Sequence, residues 1–167
     1  ATAQTPALDV SALRETANAL FAPVPANVTE MRGAPITAEQ IELGIEACLR
    51  FLAAEPAFAR MCIVDMFSAG PSALERYLSA IRMIASFVDG GRSQMPDRQE
   101  VPPSVSTMVV SGAAVVIRAE IVDERTEYLP NVGPDLLYSI LVPYMEQDEA
   151  LRRSQAFAER MIAALGE

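Results

Sequence analysis

LPNVGPDLLYSILVPYMEQDEALR, residues 129–152, is the stretch that decides the fold. Aliphatic residues crowd it without strand-like alternation, and the spacing predicts a helix entered at Pro134, broken at Pro143 and resumed near Asp148. A proline inside an apolar helical run deletes a backbone hydrogen bond and crowds the preceding turn, so it kinks or ends the helix. The resumed segment, to about Leu165 with Gly166 as its cap, puts Leu151, Phe157, Met161, Ile162 and Leu165 inward. Two helices joined by an acidic turn are expected, and their neighbours must be elements able to cover so much apolar surface.

The rest of the chain supplies such elements. Thr37 followed by Gln40 is a capping box, each side chain satisfying a free amide of the other. Ile41, Ile45, Cys48, Leu49 and Leu52 then recur at helical spacing to about Ala54. Pro56 suits the first turn of a second helix carrying Phe58, Met61, Cys62, Val64 and Phe67 and stopping at Gly70. Pro71 opens a third, with Leu74, Tyr77, Leu78, Ile81, Ile84, Ala85 and Val88 inward and Gly90-Gly91 as its exit. Residues 92–103 read as a polar, proline-rich linker. A fourth helix is predicted over Val105 to about Asp123; its first half is apolar all round, and Ser111, Gly112, Ala113 and Ala114 permit close approach by a neighbour. No strand and no long repeat is predicted. Residues 1–34 form an irregular lead-in, with at most a short helix over Val10 to Phe21. The expected fold is all-α, with residues 35–167 as one helical domain.

Composition excludes several chemistries. Thirteen basic residues, all arginine, face 22 acids, for a net charge of −9. A nucleic-acid binder needs a basic face for phosphate contacts, so these 167 residues are not expected to bind DNA themselves. Histidine is absent, which removes the Ser-His-Asp triad and the commonest metal ligand. Lysine is absent too, so Schiff-base and Ser-Lys mechanisms fall away. No glycine-rich phosphate loop occurs, and no cofactor or metal is expected; the acids at Asp123, Glu124 and Glu127, and at Glu146, Asp148 and Glu149, read as solvated helix ends. Cys48 and Cys62 lie in apolar helical patterns and read as small buried hydrophobes of a reducing cytoplasm. No basic-then-apolar signal segment is visible, although the chain opens on Ala1, as a processed product or fragment would. The longest apolar run, Val105 to Ile117, is interrupted by serine and threonine and short of the ~20 residues a bilayer requires, so no membrane partner is expected.

Asp65, inside the apolar run MCIVDMF, either faces solvent, pairs with Arg60, Arg82 or Arg118, or anchors a ligand inside a cavity. Tyr77 and Tyr138 combine an apolar ring with a hydroxyl that wants a partner when buried. Met61, Met66, Met83 and Met108 are flexible enough to line an irregular apolar pocket or simply to fill a core. The candidate ligand-binding set is Met61, Asp65, Tyr77, Ile81, Ile84, Met108, Gly112 and Tyr138. More apolar helix surface is expected than one short chain can cover, so a twofold dimer is expected, with Ile117, Ile121, Leu136, Ile140 and Tyr144 at its interface.

In order along the chain, Glu55-Pro56 with Arg60, then SAGPSALERYLSAIRMIASFVDGG, then SGAAVVIRAEIVDERTEYLP, and finally Leu136, Leu137, Tyr138 and Pro143-Tyr144 before Glu149-Ala150, resemble the C-terminal regulatory domain of TetR-type transcriptional regulators. The resemblance covers about Pro35 to Glu167. It implies a helical bundle that binds a small hydrophobic effector, forms a homodimer, and controls a helix-turn-helix DNA reader, typically as a repressor and not as an enzyme. Residues 1–34 do not match that reader in length, basicity or pattern, so DNA would be contacted only through a unit outside this stretch. Two other functions fit the residues: a helical adaptor for a protein partner, without a cavity, and a small isomerase working through carboxylate and tyrosine.

Overall fold

The computed structural model describes residues 37–90 and 101–163. These belong to the second of two compact units, Pro35–Glu167. The predicted short helix at Val10 to Phe21, the Gly91 exit, most of the 92–103 linker and the Leu165-Gly166 end lie outside the described residues.

Six α-helices make up the described part, and no strand occurs in it. They are α1 (Ala38–Ala54), α2 (Pro56–Ile63), α3 (Pro71–Gly90), α4 (Ser104–Val122), α5 (Leu129–Leu141) and α6 (Gln147–Ala163), with 3₁₀ turns at Asp65–Ser68 and Thr126–Tyr128. The all-α fold is as the sequence predicts.

The capping box forms. Gln40 N–H donates to Thr37 Oγ1 at 3.3 Å, and Thr37 N–H donates to Gln40 Oε1 at 2.9 Å. Thr37→Ala removes one of the two bonds at an exposed helix start. It is expected to lower folding stability by about 1 kcal/mol, read as a shift in urea midpoint with unchanged slope.

The hairpin of α5 and α6 lies at the centre of the described residues. α5 packs on α6, α1 and α4, and it reaches all three apolar clusters. Leu129 and Leu136 join Leu49, Leu52, Ala59 and Ile121. Ile140, with Tyr144 just past the helix end, joins Ile81, Ala85, Val88 and Val110. Leu137 and Leu141 join Ala150, Phe157 and Met161. Burying each of these large apolar side chains is worth roughly 1.5–3 kcal/mol, so α5 is the element whose loss would empty every cluster.

Two boundaries differ from the sequence reading. α5 begins at Leu129, with Pro130 in its first turn, and Pro134 sits inside it. A proline at Pro134 forfeits only the bond to the Pro130 carbonyl, and the hydroxyl of Ser154 on α6 donates to the Pro134 carbonyl at 2.8 Å. Pro143 does end the helix, where Tyr144 and Met145 N–H both turn back to the Leu141 carbonyl. The second helix stops at Ile63 rather than at Gly70, and Asp65–Ser68 tightens into 3₁₀ geometry. The chain must turn there to reach Pro71. Gly70, at φ +95°, takes a left-handed conformation that side chains resist.

Gly133 is indispensable for a different reason. A methyl at its Cα would lie 2.8 Å from Phe157 Cε1 and 3.1 Å from Leu49 Cδ1. α1, α5 and α6 converge at this point, and only a hydrogen fits between them.

α1 and α6 are also tied through Glu42, a buried carboxylate. It accepts from Arg153 Nη1 at 3.1 Å and from Arg160 Nη2 at 2.7 Å. Arg153 reaches Glu149 as well, at 2.9 Å.

Several residues expected inside are not. Cys48 is exposed, and Leu74, Leu78 and Ile84 on α3, with Leu151 and Ile162 on α6, are at least two-fifths exposed. α3 packs principally on α4, so a single contact line buries only Ile81, Ala85 and Val88.

Candidate functional site

The predicted ligand-binding residues do not share one chamber. Tyr138 is half-buried beside Leu137 and Phe157, whereas Tyr77 lies against the cluster of Ile81, Val88 and Val110. Asp65 is exposed and faces Arg60, whose Nε is 3.9 Å from Oδ1, at the outer limit of an ion pair. Of the readings open to Asp65, the solvated one with an arginine neighbour is therefore the one realised. Met61 is half-buried and Ile81 belongs to the core. Ile84 is exposed, and so are Met108 and Gly112, which point away from the bundle on α4.

What does converge is a corner where the Asp65–Ser68 turn, α3 and α4 meet. Phe67 leaves the 3₁₀ turn and meets Tyr77 edge-on, with ring centroids 5.2 Å apart. The Arg118 guanidinium of α4 lies 5.3 Å from the same Phe67 centroid, a cation–π contact. One phenylalanine ring thus touches both a phenol and a cation. Among the described residues no carboxylate pairs with Arg118; the nearby acids Glu120 and Asp123 are both engaged by Arg125, at 2.9 and 3.4 Å.

Burial raises the Tyr77 phenol above its ordinary value of 10.0, and the positive charge of Arg118 partly offsets this. The neutral phenol is the favoured folded form. Its stabilising contribution is complete below pH 10 and is lost as pH climbs through the raised folded value. Tyr77→Phe is accordingly expected to flatten the alkaline loss of stability above pH 10, measured by denaturant melts at stepped pH. The late phenolate absorbance contributed by Tyr77 should be missing from the variant. The Cys62 thiol, also pushed up by burial, leaves a similar loss from about pH 9 in both proteins.

Phe67 and Arg118 were not among the predicted site residues. A signal for Arg118 was present: it is the first charge met along Ser104 to Arg118, after fourteen uncharged positions. Phe67 had none, because its exposure follows from the 3₁₀ turn.

The dimer set also divides. Ile121, Leu136, Ile140 and Tyr144 are buried in the subunit's own clusters, and Ile117 packs half-buried against the first of them. They hold α4 and α5 to the bundle and cannot at the same time face a second chain. The surface that remains free is the opposite side of α4. Met108, Gly112, Val115, Ala119 and Val122 follow one another at alternating steps of four and three residues, and all are exposed. At 3.6 residues per turn these five, with Val105 and Val116, occupy an arc of about 120° without a single charge. A methyl added at Gly112 would meet nothing within 4 Å.

α4 is, among the described residues, the one helix long and apolar enough to cross a membrane, which corrects the estimate made from the interrupted apolar run. It also packs on α3 and α5, burying Ser106, Val110 and Ile121.

No family model matches the chain, and no solved structure matches it. Among curated proteins the chain is similar to a cytochrome c551 peroxidase of Pseudomonas aeruginosa, at 52% identity over 40 residues. That segment is 24% of this chain, which spans about an eighth of the peroxidase, 12% of its length.

Proposed function

We propose that this chain is the effector-sensing and dimerising domain of a TetR-type transcriptional regulator, a cytoplasmic repressor. A helix-turn-helix unit outside these residues would read DNA under its control. The observation that carries the reading is the outer face of α4. An uncharged stripe at the 3.5-residue spacing of a helix–helix seam, with glycine and alanine at its narrow points, is suited to a second copy packing across a twofold axis. The order of proline-punctuated helices matches the family resemblance, with α4, α5 and α6 as its rear segments. The half-buried Tyr77 corner on α3 supplies few polar groups among many apolar ones, as ligand sites do. The forty-residue likeness to the peroxidase is too short to carry an activity across.

Two measurements test this. Sedimentation velocity of the 167-residue chain should give a dimer at micromolar concentration. Thermal-shift screening with hydrophobic metabolites should find stabilising compounds, since a ligand at 100 times its Kd adds about 2.7 kcal/mol. A monomer that no compound stabilises would end the proposal.

A second reading, the helical adaptor without a chamber, is favoured by the character of the surface depressions. One is lined by Ser72, Glu75, Arg76, Leu78, Ser79 and Arg82, all on α3; another combines Glu39, Glu42 and Leu43 with Arg153, Ala156 and Arg160. Both are open and charged. A dimer that binds no small molecule in the same screen would select this reading.

A further inference from the structure

Resting on the sensing role above, we propose that the effector is an apolar monocarboxylate, its carboxylate held by Arg118 and Tyr77 and its body laid on Phe67, Leu74 and Ile84. Arg118 carries a permanent charge, and no acid among the described residues neutralises it. Stacked over Phe67, a guanidinium keeps its N–H edge free for a carboxylate, the planar partner it binds with two parallel hydrogen bonds. Tyr77 meets the same ring edge-on, and its hydroxyl donates to no acceptor among the described residues. Two donors therefore touch one aromatic ring, and neither is engaged by an acceptor among the described residues.

The apolar half of the ligand follows from what surrounds this pair. Leu74 and Ile84 lie three residues before and seven after Tyr77, on its side of α3, and are 40% and 46% exposed; Phe67 is 45% exposed. An exposed aromatic ring under an uncompensated cation, with two exposed aliphatic side chains on the Tyr77 side of α3, suits an amphipathic molecule better than an inorganic ion. Charge sets the valence. A chain of net charge −9 repels polyanions at a distance, and one guanidinium offsets one carboxylate. Phosphates and dicarboxylates are thereby disfavoured, as are cations, which Arg118 repels.

The test uses the full chain and three probes of one shape: 1-naphthoate, neutral 1-naphthamide and cationic 1-naphthylmethylamine, titrated calorimetrically. The expected result is naphthoate binding roughly tenfold or more tightly than the amide, with the amine weakest. Arg118→Gln should bring acid and amide to parity, Arg118→Lys should retain part of the preference, and Tyr77→Phe should weaken naphthoate a few-fold. Arg118 is exposed and Tyr77→Phe removes only a hydroxyl, so these variants keep the fold. If the amide or amine binds as well as the acid, or if Arg118→Gln leaves the preference intact, the carboxylate assignment is overturned while effector sensing stands. If none of the three binds and a neutral hydrophobic panel also fails, both are overturned.

Discussion

Phe157→Ala is expected to lower folding stability by about 3–5 kcal/mol, a large share of a typical total of about 5–15 kcal/mol and most of one at the low end of that range. Phe157 is the largest of the fully buried side chains. Its ring fills the space among Leu137, Leu141, Ala150 and Met161 and abuts Gly133. Alanine leaves a cavity that three helices held by other contacts cannot collapse to fill. Urea denaturation followed by circular dichroism should show a lower midpoint at unchanged slope. Gly133→Ala gives the complementary result. Alanine gains up to ~1 kcal/mol of helix propensity, but its methyl collides with the Phe157 ring, and overpacking of this kind costs about 1–3 kcal/mol. Because the two residues touch, their effects should not add. The double variant should lose less than the sum of the singles, since removing the ring makes room for the methyl.

Val115→Glu should dissociate the proposed dimer while sparing the subunit. Val115 is 66% exposed on a single chain, so the substitution changes subunit stability by no more than about 0.5 kcal/mol. In a twofold seam built on α4, the same change buries two carboxylates near each other. An uncompensated buried charge costs about 3–5 kcal/mol, which weakens association roughly 10²–10⁴-fold. Sedimentation velocity across a concentration series should convert from dimer to monomer, with the unfolding midpoint of the dilute subunit unchanged. Leu136→Ala is the contrasting control. It should destabilise the subunit, because Leu136 belongs to the internal core. A Val115→Glu chain that stays dimeric would place the seam elsewhere.

Much of the architecture was readable because prolines and caps are local signals. Thr37 with Gln40, Pro56, Pro71 and Pro143 each act on their own turn of backbone, and each sits where its chemistry requires. Pro134 misled because Pro130 is equally suited to a first turn, and choosing between them requires knowing that Gly133 must press against Phe157. The phase of α4 was illegible for a deeper reason. A helix apolar all round has no preferred side in its own sequence, so the packing of α3 and α5 decides which side is covered. Ile121 consequently went inward and Met108 outward, the reverse of the expected assignment. The Arg118 corner depends on a 3₁₀ turn and two helices distant in sequence, and only their meeting makes it a site.

The bare flank of α4 has a consequence for life at low copy number. Any partner that covers it binds the folded subunit and not the unfolded one, so the melting temperature must climb with that partner's concentration. Endurance is then a matter of dosage: dilution strips protection from the chain and hands it to proteases, and abundance restores it.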